Sequence, residues 1–144
     1  MGIYLAMEDS SFTMKSENKD KALKAIKNLM KKANVLGNGG SYDGKKWSEK
    51  WFSWVNTKGV LECKTFEDAM LEWGYEIRTN DAGDVINIQF SGEKLGQEEH
   101  MFKAIAPYVN DGSYIDVEIE NEHWRWAFKN GKYVELQGKV VYEE

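Results

Sequence analysis

The sequence predicts an α+β fold in which an antiparallel sheet of five or more strands has about three helices packed on one face. Alternating apolar and polar residues, typical of half-buried strands, occur at 75–79, 85–91, 113–120 and 123–129. Apolar residues recur at helical spacing in 17–34, 66–73 and 97–108. The chain has 144 residues, the size of one domain, so we expect a single core built from residues 1–144.

The first third of the chain is predicted to form a strand and the longest helix. Alternation at 3–7 indicates an opening strand, which resumes at 12–14 after a turn over 8–11. Ser16 has the right chemistry to cap the helix over 17–34, because its hydroxyl can accept a hydrogen bond from a backbone N–H of the first turn.

The middle of the chain is predicted to contain a strand, a helix and a hairpin. Residues 47–50 favour a turn or short helix, and 51–56 favour a strand. Thr65 followed by Asp68 resembles a capping box, with Asp in place of the usual Glu or Gln, so a helix over 66–73 should follow. Two alternating segments then flank a turn rich in Asn, Asp and Gly, which predicts a β-hairpin.

The last third is predicted to be a helix followed by a meander of strands. Pro107 should end the helix near Ala106, because proline lacks the backbone N–H that continues a helix. Asn130-Gly131 is a strong hairpin signal and leads into a strand from Tyr133 to Leu136. The residues that we expect to face the core are Ile115, Val117, Ile119, Trp124, Trp126 and Phe128.

Composition and charge narrow the classes of partner. The formal net charge of −5 disfavours free nucleic acid, because phosphate contacts call for a basic surface. The chain start lacks the features of a signal peptide, and no stretch is apolar enough to span a membrane. We therefore expect a cytoplasmic protein without membrane contact. Cys63 is the single cysteine, which excludes an intramolecular disulfide.

No motif predicts catalysis or metal binding. Neither His100 nor His123 has a second ligand at zinc-site spacing, and no Cys-x₂-Cys pair exists. Cys63 has no partner base beside it in sequence, and the glycine motifs of hydrolases and dinucleotide-binding proteins are absent. We predict no catalytic residue, no metal ligand and no cofactor, and we favour a non-enzymatic role while leaving the enzyme class open.

A run of carboxylates is the sequence feature that points most directly to a binding surface. Asp116, Glu118 and Glu120 share the outward face of a predicted strand, with Glu122 in the following turn. His123 and Arg125 should lie on the same outward face across the hairpin. This surface is either the ordinary polar side of an antiparallel sheet or an acidic face that docks a basic patch of another protein.

Tryptophans provide the second candidate surface. Trp47, Trp51 and Trp54 share one face if the segment is helical, and six tryptophans in a domain of this size favour some exposure. Exposed tryptophans are common anchors in protein interfaces.

Parts of the chain resemble a known group of proteins. The segments IAPYVNDGSYI (105–115), HWRWAF (123–128) and NGK (130–132), with FSWVN (52–56), are similar to a pattern in small proteins of phages and mobile elements of Gram-positive bacteria. The resemblance covers mainly the C-terminal half and carries no catalytic residues. It implies an accessory protein that inhibits a host or defence protein, as anti-CRISPR proteins do.

Two other functions remain open from the sequence. The Gly-rich loop over 37–46 lacks the strand-to-helix setting and the closing Lys-Ser or Lys-Thr of a phosphate cradle. It could still serve as a lid over Trp47, Trp51 and Trp54 in a small-ligand or nucleotide-binding domain. A small hydrolase built on His100 or His123 with neighbouring carboxylates is the second alternative. Oligomeric state and the partner's identity are not determined by these patterns.

Overall fold

A computed structural model of the chain describes residues 5–33, 52, 55–92 and 97–138. Short 3₁₀ turns precede the first helix at Ser16–Asn18 and follow the last at Ala106–Tyr108. The described elements confirm the α+β class. In chain order they are β1 (Leu5–Ser11), α1 (Lys19–Met30), α2 (Thr57–Glu62), α3 (Phe66–Glu72), β2 (Tyr75–Thr79), β3 (Val85–Phe90), α4 (Glu98–Ile105), β4 (Tyr114–Ile119), β5 (Glu122–Lys129) and β6 (Lys132–Gln137).

The described strands form two antiparallel sheets, so the prediction of one sheet with five or more strands is not matched. Four strands pair in the order β1-β4-β5-β6, and β2 pairs with β3 as a separate hairpin. The hairpin lies beside β1, where one isolated backbone bridge joins Met14 to Val85. Farther along, the Ser10 hydroxyl donates to the Asn87 side-chain oxygen at 2.8 Å. Among the residues that the structure describes, no continuous backbone ladder joins the two sheets.

Strand β1 contains a bulge where the sequence predicts a turn. The strand runs unbroken through 8–11, and the register shifts between Met7, opposite Val117, and Asp9, opposite Asp116. Glu8 is the extra residue of this bulge. A bulge changes the direction of the side chains around it. On the outer face of the sheet, Glu8 hydrogen-bonds with His123 and Asp9 with Tyr114.

The predicted helix boundaries are confirmed at Thr65 and Pro107, and the predicted cap at Ser16 is wrong. The Thr65 hydroxyl caps α3 by accepting from the backbone N–H of Asp68 at 3.1 Å. Helix α4 ends at Ile105, and Pro107 lies in the 3₁₀ turn that follows. Ser16 is not the cap of α1. It begins the preceding 3₁₀ turn, and its backbone N–H donates to Asp84 at 2.7 Å.

Helix α2 follows a segment for which the sequence predicts a strand. Within 51–56, the described residues Phe52, Val55 and Asn56 are outside any strand, and Asn56 caps α2 by accepting from the Gly59 N–H. Helix α2 has six residues and includes a glycine, too short a segment for helical periodicity to show. Trp47, Trp51 and Trp54, and the loop over 37–46, lie outside the described residues.

The core lies between the four-stranded sheet and α4. Phe102 of α4 contacts Trp126 and Phe128 with ring centroids 5.3 and 5.8 Å apart. All six residues that were predicted to face inward do so: Ile115, Val117, Trp126 and Phe128 are buried, and Ile119 and Trp124 are half-buried against the core. None of the helices in the described part of the chain has the length and apolarity needed to traverse a bilayer.

Candidate functional site

The predicted carboxylate run divides between two surfaces. Asp116 and Glu118 lie on the outer face of the sheet, paired with Arg125 and His123 of β5. Glu120 lies in the turn. Glu122 is the first residue of β5 rather than a turn residue, and it lies opposite Ile119, the inward-facing last residue of β4. The turn has only two residues, so strand alternation resumes at once and directs Glu122 away from the outer face.

An ion pair occupies the centre of the outer face. Arg125 donates from Nε and Nη2 to the two carboxylate oxygens of Asp116 at 2.7 and 3.0 Å. Its guanidinium also lies 4.3 Å from the ring centroid of Tyr114. The Tyr114 hydroxyl in turn donates to Asp9 at 3.4 Å. The central part of the predicted acidic ladder is therefore neutralised within the sheet itself.

A second cluster on the outer face combines Glu8, Glu118 and His123. The ligand-type atoms of these three side chains lie within 4.8 Å of one another. Nδ1 of His123 donates to Glu8 at 2.7 Å, and this hydrogen bond raises the pKa of the imidazole. Glu8 and His123 of this cluster also line an outer-face depression of about 500 Å³, together with Asp9, Asp116 and Arg125.

The inner face forms a separate hollow at the end of the β4–β5 hairpin. Its volume is about 210 Å³. We call it the hairpin hollow, and its lining residues are Glu99, Ile119, Glu120, Glu122, Trp124, Trp126 and Glu135. Alternation along β5 brings Glu122, Trp124 and Trp126 to one side, and Glu135 of β6 lies opposite Trp126. Glu99 comes from the first turn of α4.

The hairpin hollow has four carboxylates and no lysine or arginine among its lining residues. No ion pair within 4 Å joins Glu120, Glu122 or Glu135 to a cation in the described part of the chain. Tyr133 donates to Glu135 at 2.9 Å. Burial and the nearby carboxylates, Glu135 foremost, hold the pKa of Tyr133 well above its usual range. The hollow is therefore a site of negative potential beside the half-buried indole of Trp124.

The remaining candidate residues do not assemble into a catalytic centre within the described residues. His100 packs its ring 5.6 Å from that of Phe52, and its Nε2 lies 3.8 Å from Glu99. The Cys63 thiol donates to the Gly59 carbonyl at 3.1 Å, and burial raises the pKa of this thiol. A thiol with a raised pKa is a poor nucleophile.

Sequence reasoning missed Glu99 and Glu135 at the hairpin hollow and Glu8 on the outer face. Glu8 and Glu99 lie far along the chain from the strands that they join, so no local spacing could indicate them. Glu135 could have been found, because the predicted two-residue turn at Asn130-Gly131 sets it opposite Trp126. Trp124 was predicted, but only as a core residue. Comparison of the chain with protein-family models, with curated proteins and with solved structures gave no match.

Proposed function

We propose that the protein is a non-enzymatic binding module that docks a basic segment of another protein in the hairpin hollow. The observation that carries this proposal is the convergence of Glu99, Glu120, Glu122 and Glu135 around two tryptophans without a cation among the lining residues. The acidic patch predicted from the sequence thus contributes two of its members, Glu120 and Glu122, to this surface.

The chemistry of the hollow suits an arginine or lysine side chain. A cation over a tryptophan face gains roughly 0.5–2 kcal/mol, and arginine is found in this position more often than lysine. Carboxylates around the rim offer charge-assisted hydrogen bonds to the same guanidinium. The net charge of −5 would also speed the encounter with a basic partner.

Size favours a protein side chain over a small-molecule ligand. The hollow measures about 210 Å³, whereas sites for drug-sized ligands measure roughly 300–1,000 Å³ and are mostly apolar. The inhibitor role implied by the resemblance extends this proposal, with a host or defence protein that exposes a basic segment as the expected partner. The ligand-binding alternative depends on residues 37–46 and stays a prediction.

Binding can be tested with an unstructured Arg-Gly repeat peptide and ¹⁵N-labelled protein. We expect saturable shifts of the indole N–H signals of Trp124 and Trp126. The double variant Glu120→Gln/Glu122→Gln should weaken binding about tenfold, because two charge-assisted contacts are lost.

The matched control is Glu17→Gln/Glu76→Gln, which removes the same charge from residues outside the hairpin hollow. Binding by this control should remain within about twofold of the parent protein. Equal weakening in both double variants would mean that the peptide responds to net charge alone, and the docking site would be wrong.

A further inference from the structure

We propose that Glu8, Glu118 and His123 form a binding site for a divalent transition-metal ion of the Zn²⁺ class. The three side chains come from three adjacent strands, β1, β4 and β5, and their ligand atoms lie within 4.8 Å of one another. The sequence predicts no metal site, because zinc-site spacing is local whereas these residues are scattered along the chain. This proposal is independent of the hairpin hollow.

The distances suit a metal ion after small side-chain rotations. Zinc binds imidazole nitrogen and carboxylate oxygen at about 2.0–2.2 Å, so tetrahedral ligand atoms stand about 3.4 Å apart. Glu8 and His123 already approach to 2.7 Å through their hydrogen bond. A metal ion would take the place of the proton that these two groups share, with water completing its coordination.

Charge within the cluster favours a divalent ion over a proton. Glu8 and Glu118 contribute two negative charges, and a protonated His123 neutralises only one of them. A divalent cation with a neutral imidazole would balance the cluster. Arg125 could supply the missing positive charge, and Asp116 a further ligand, only by giving up the two hydrogen bonds that join them.

The backbone leaves the cluster open. The bulge at Glu8 adds a carboxylate to the outer face beside β4, where regular pairing would provide one residue instead of two. Glu118 and His123 lie opposite each other, and their neighbours on the adjoining strands are small. Ala6 of β1 lies opposite Glu118, and Gly138, just after β6, donates its N–H to the His123 carbonyl. A Cβ at Gly138 would lie only 3.3 Å from that of His123, so a side chain there would crowd the imidazole.

The ligand set selects among divalent ions. Mg²⁺ and Ca²⁺ prefer oxygen ligands alone, whereas imidazole with carboxylate suits Zn²⁺ and its neighbours. We therefore expect Zn²⁺ to bind more tightly than Mn²⁺, and Mg²⁺ and Ca²⁺ to bind more weakly still.

The test is a calorimetric titration of Zn²⁺ into chelator-treated, tag-free protein that carries Cys63→Ser, which removes the only thiol ligand. One ion should bind each chain, and ¹⁵N spectra should show the His123 imidazole responding. Glu8→Gln, Glu118→Gln and His123→Gln should each weaken binding at least about tenfold. These side chains are partly exposed, and circular dichroism will verify that the variants fold.

His100→Gln and Glu76→Gln are the matched controls and should bind Zn²⁺ as the parent does. Absence of Zn²⁺ binding, binding unaffected by the three ligand variants, or loss of binding in His100→Gln would each overturn the proposal. Equal affinity for Mg²⁺ would also overturn it, because the imidazole would then contribute nothing.

Discussion

Arg125 and Asp116 form a two-point ion pair across β4 and β5, with N–O distances of 2.7 and 3.0 Å. The pair joins directly opposite residues of the antiparallel ladder. It neutralises the centre of the outer face, where the sequence predicts an acidic docking surface. A group of four carboxylates with no lysine or arginine among the lining residues lies instead at the hairpin hollow, on the other side of the sheet.

The Arg125–Asp116 pair should contribute little to stability. Both side chains are accessible to water, so a double-mutant cycle with Asp116→Ala and Arg125→Ala should give a coupling free energy below about 1 kcal/mol. Urea denaturation of the four proteins measures it. Asp116→Asn should also leave Arg-Gly peptide binding unchanged, and a clear loss of affinity would return the docking site to the outer face.

Trp126 should be one of the most stabilising side chains of the sheet. It is 3% exposed and packs on Phe102. Trp126→Ala should lower the free energy of unfolding by ~3–5 kcal/mol, the range for deleting a large buried ring. Val134→Ala, at an exposed position of β6, is the control and should cost under about 1 kcal/mol. An unchanged melting temperature in Trp126→Ala would contradict the assignment of the inner face.

Glu120 should lower the free energy of unfolding while it strengthens binding of the Arg-Gly peptide. Its φ is +52°, and Asn121 beside it has φ +67°, as the two central residues of a type I′ turn require. A left-handed backbone costs most residues about 1 kcal/mol, but asparagine tolerates it. We expect Glu120→Asn to raise the free energy of unfolding by about 0.5–1 kcal/mol while weakening Arg-Gly peptide binding.

Glu120→Gln separates the two effects in that turn. It removes the charge but keeps the backbone strain, so it should weaken peptide binding equally and leave the free energy of unfolding unchanged within about 0.5 kcal/mol. If Glu120→Asn bound the peptide as tightly as the parent protein, Glu120 would have no part in docking.

Stability should fall steeply at alkaline pH because of Tyr75 and Tyr133. Burial and neighbouring carboxylates raise the pKa of both tyrosines well above the ordinary value of about 10. Above that pH the unfolded chain loses protons that the folded chain keeps, so the stabilisation present below about pH 10 is lost as the pH rises further.

Tyrosinate absorbance and circular dichroism measure this alkaline transition. Both tyrosines should ionise only as the protein unfolds. Tyr133→Phe should release about one proton fewer on unfolding than the parent above pH ~10. Ionisation of all tyrosines in a chain that remains folded would contradict the prediction.

Part of the candidate site could be predicted from the sequence. The alternation of apolar and polar residues correctly predicted that Asp116 and Glu118 face outward and Trp126 faces inward, because successive side chains of a strand point to opposite faces of the sheet. The same pattern placed Glu120 on the outer face and Glu122 in the turn, whereas Glu120 lies in the turn and Glu122 begins β5. The length of the connecting turn decides this, and a shift of one residue reverses the face of everything that follows.

Local chemistry by itself determined the cap of α3 at Thr65, the end of α4 before Pro107 and the turn at Asn130-Gly131. Each depends on hydrogen bonds or torsions within a few residues. Tertiary structure alone decided the bulge at Glu8, the split of the strands into two sheets and the meeting of Glu8 with His123. These depend on which strands pair and in which register, a choice governed by burying the whole apolar face at once.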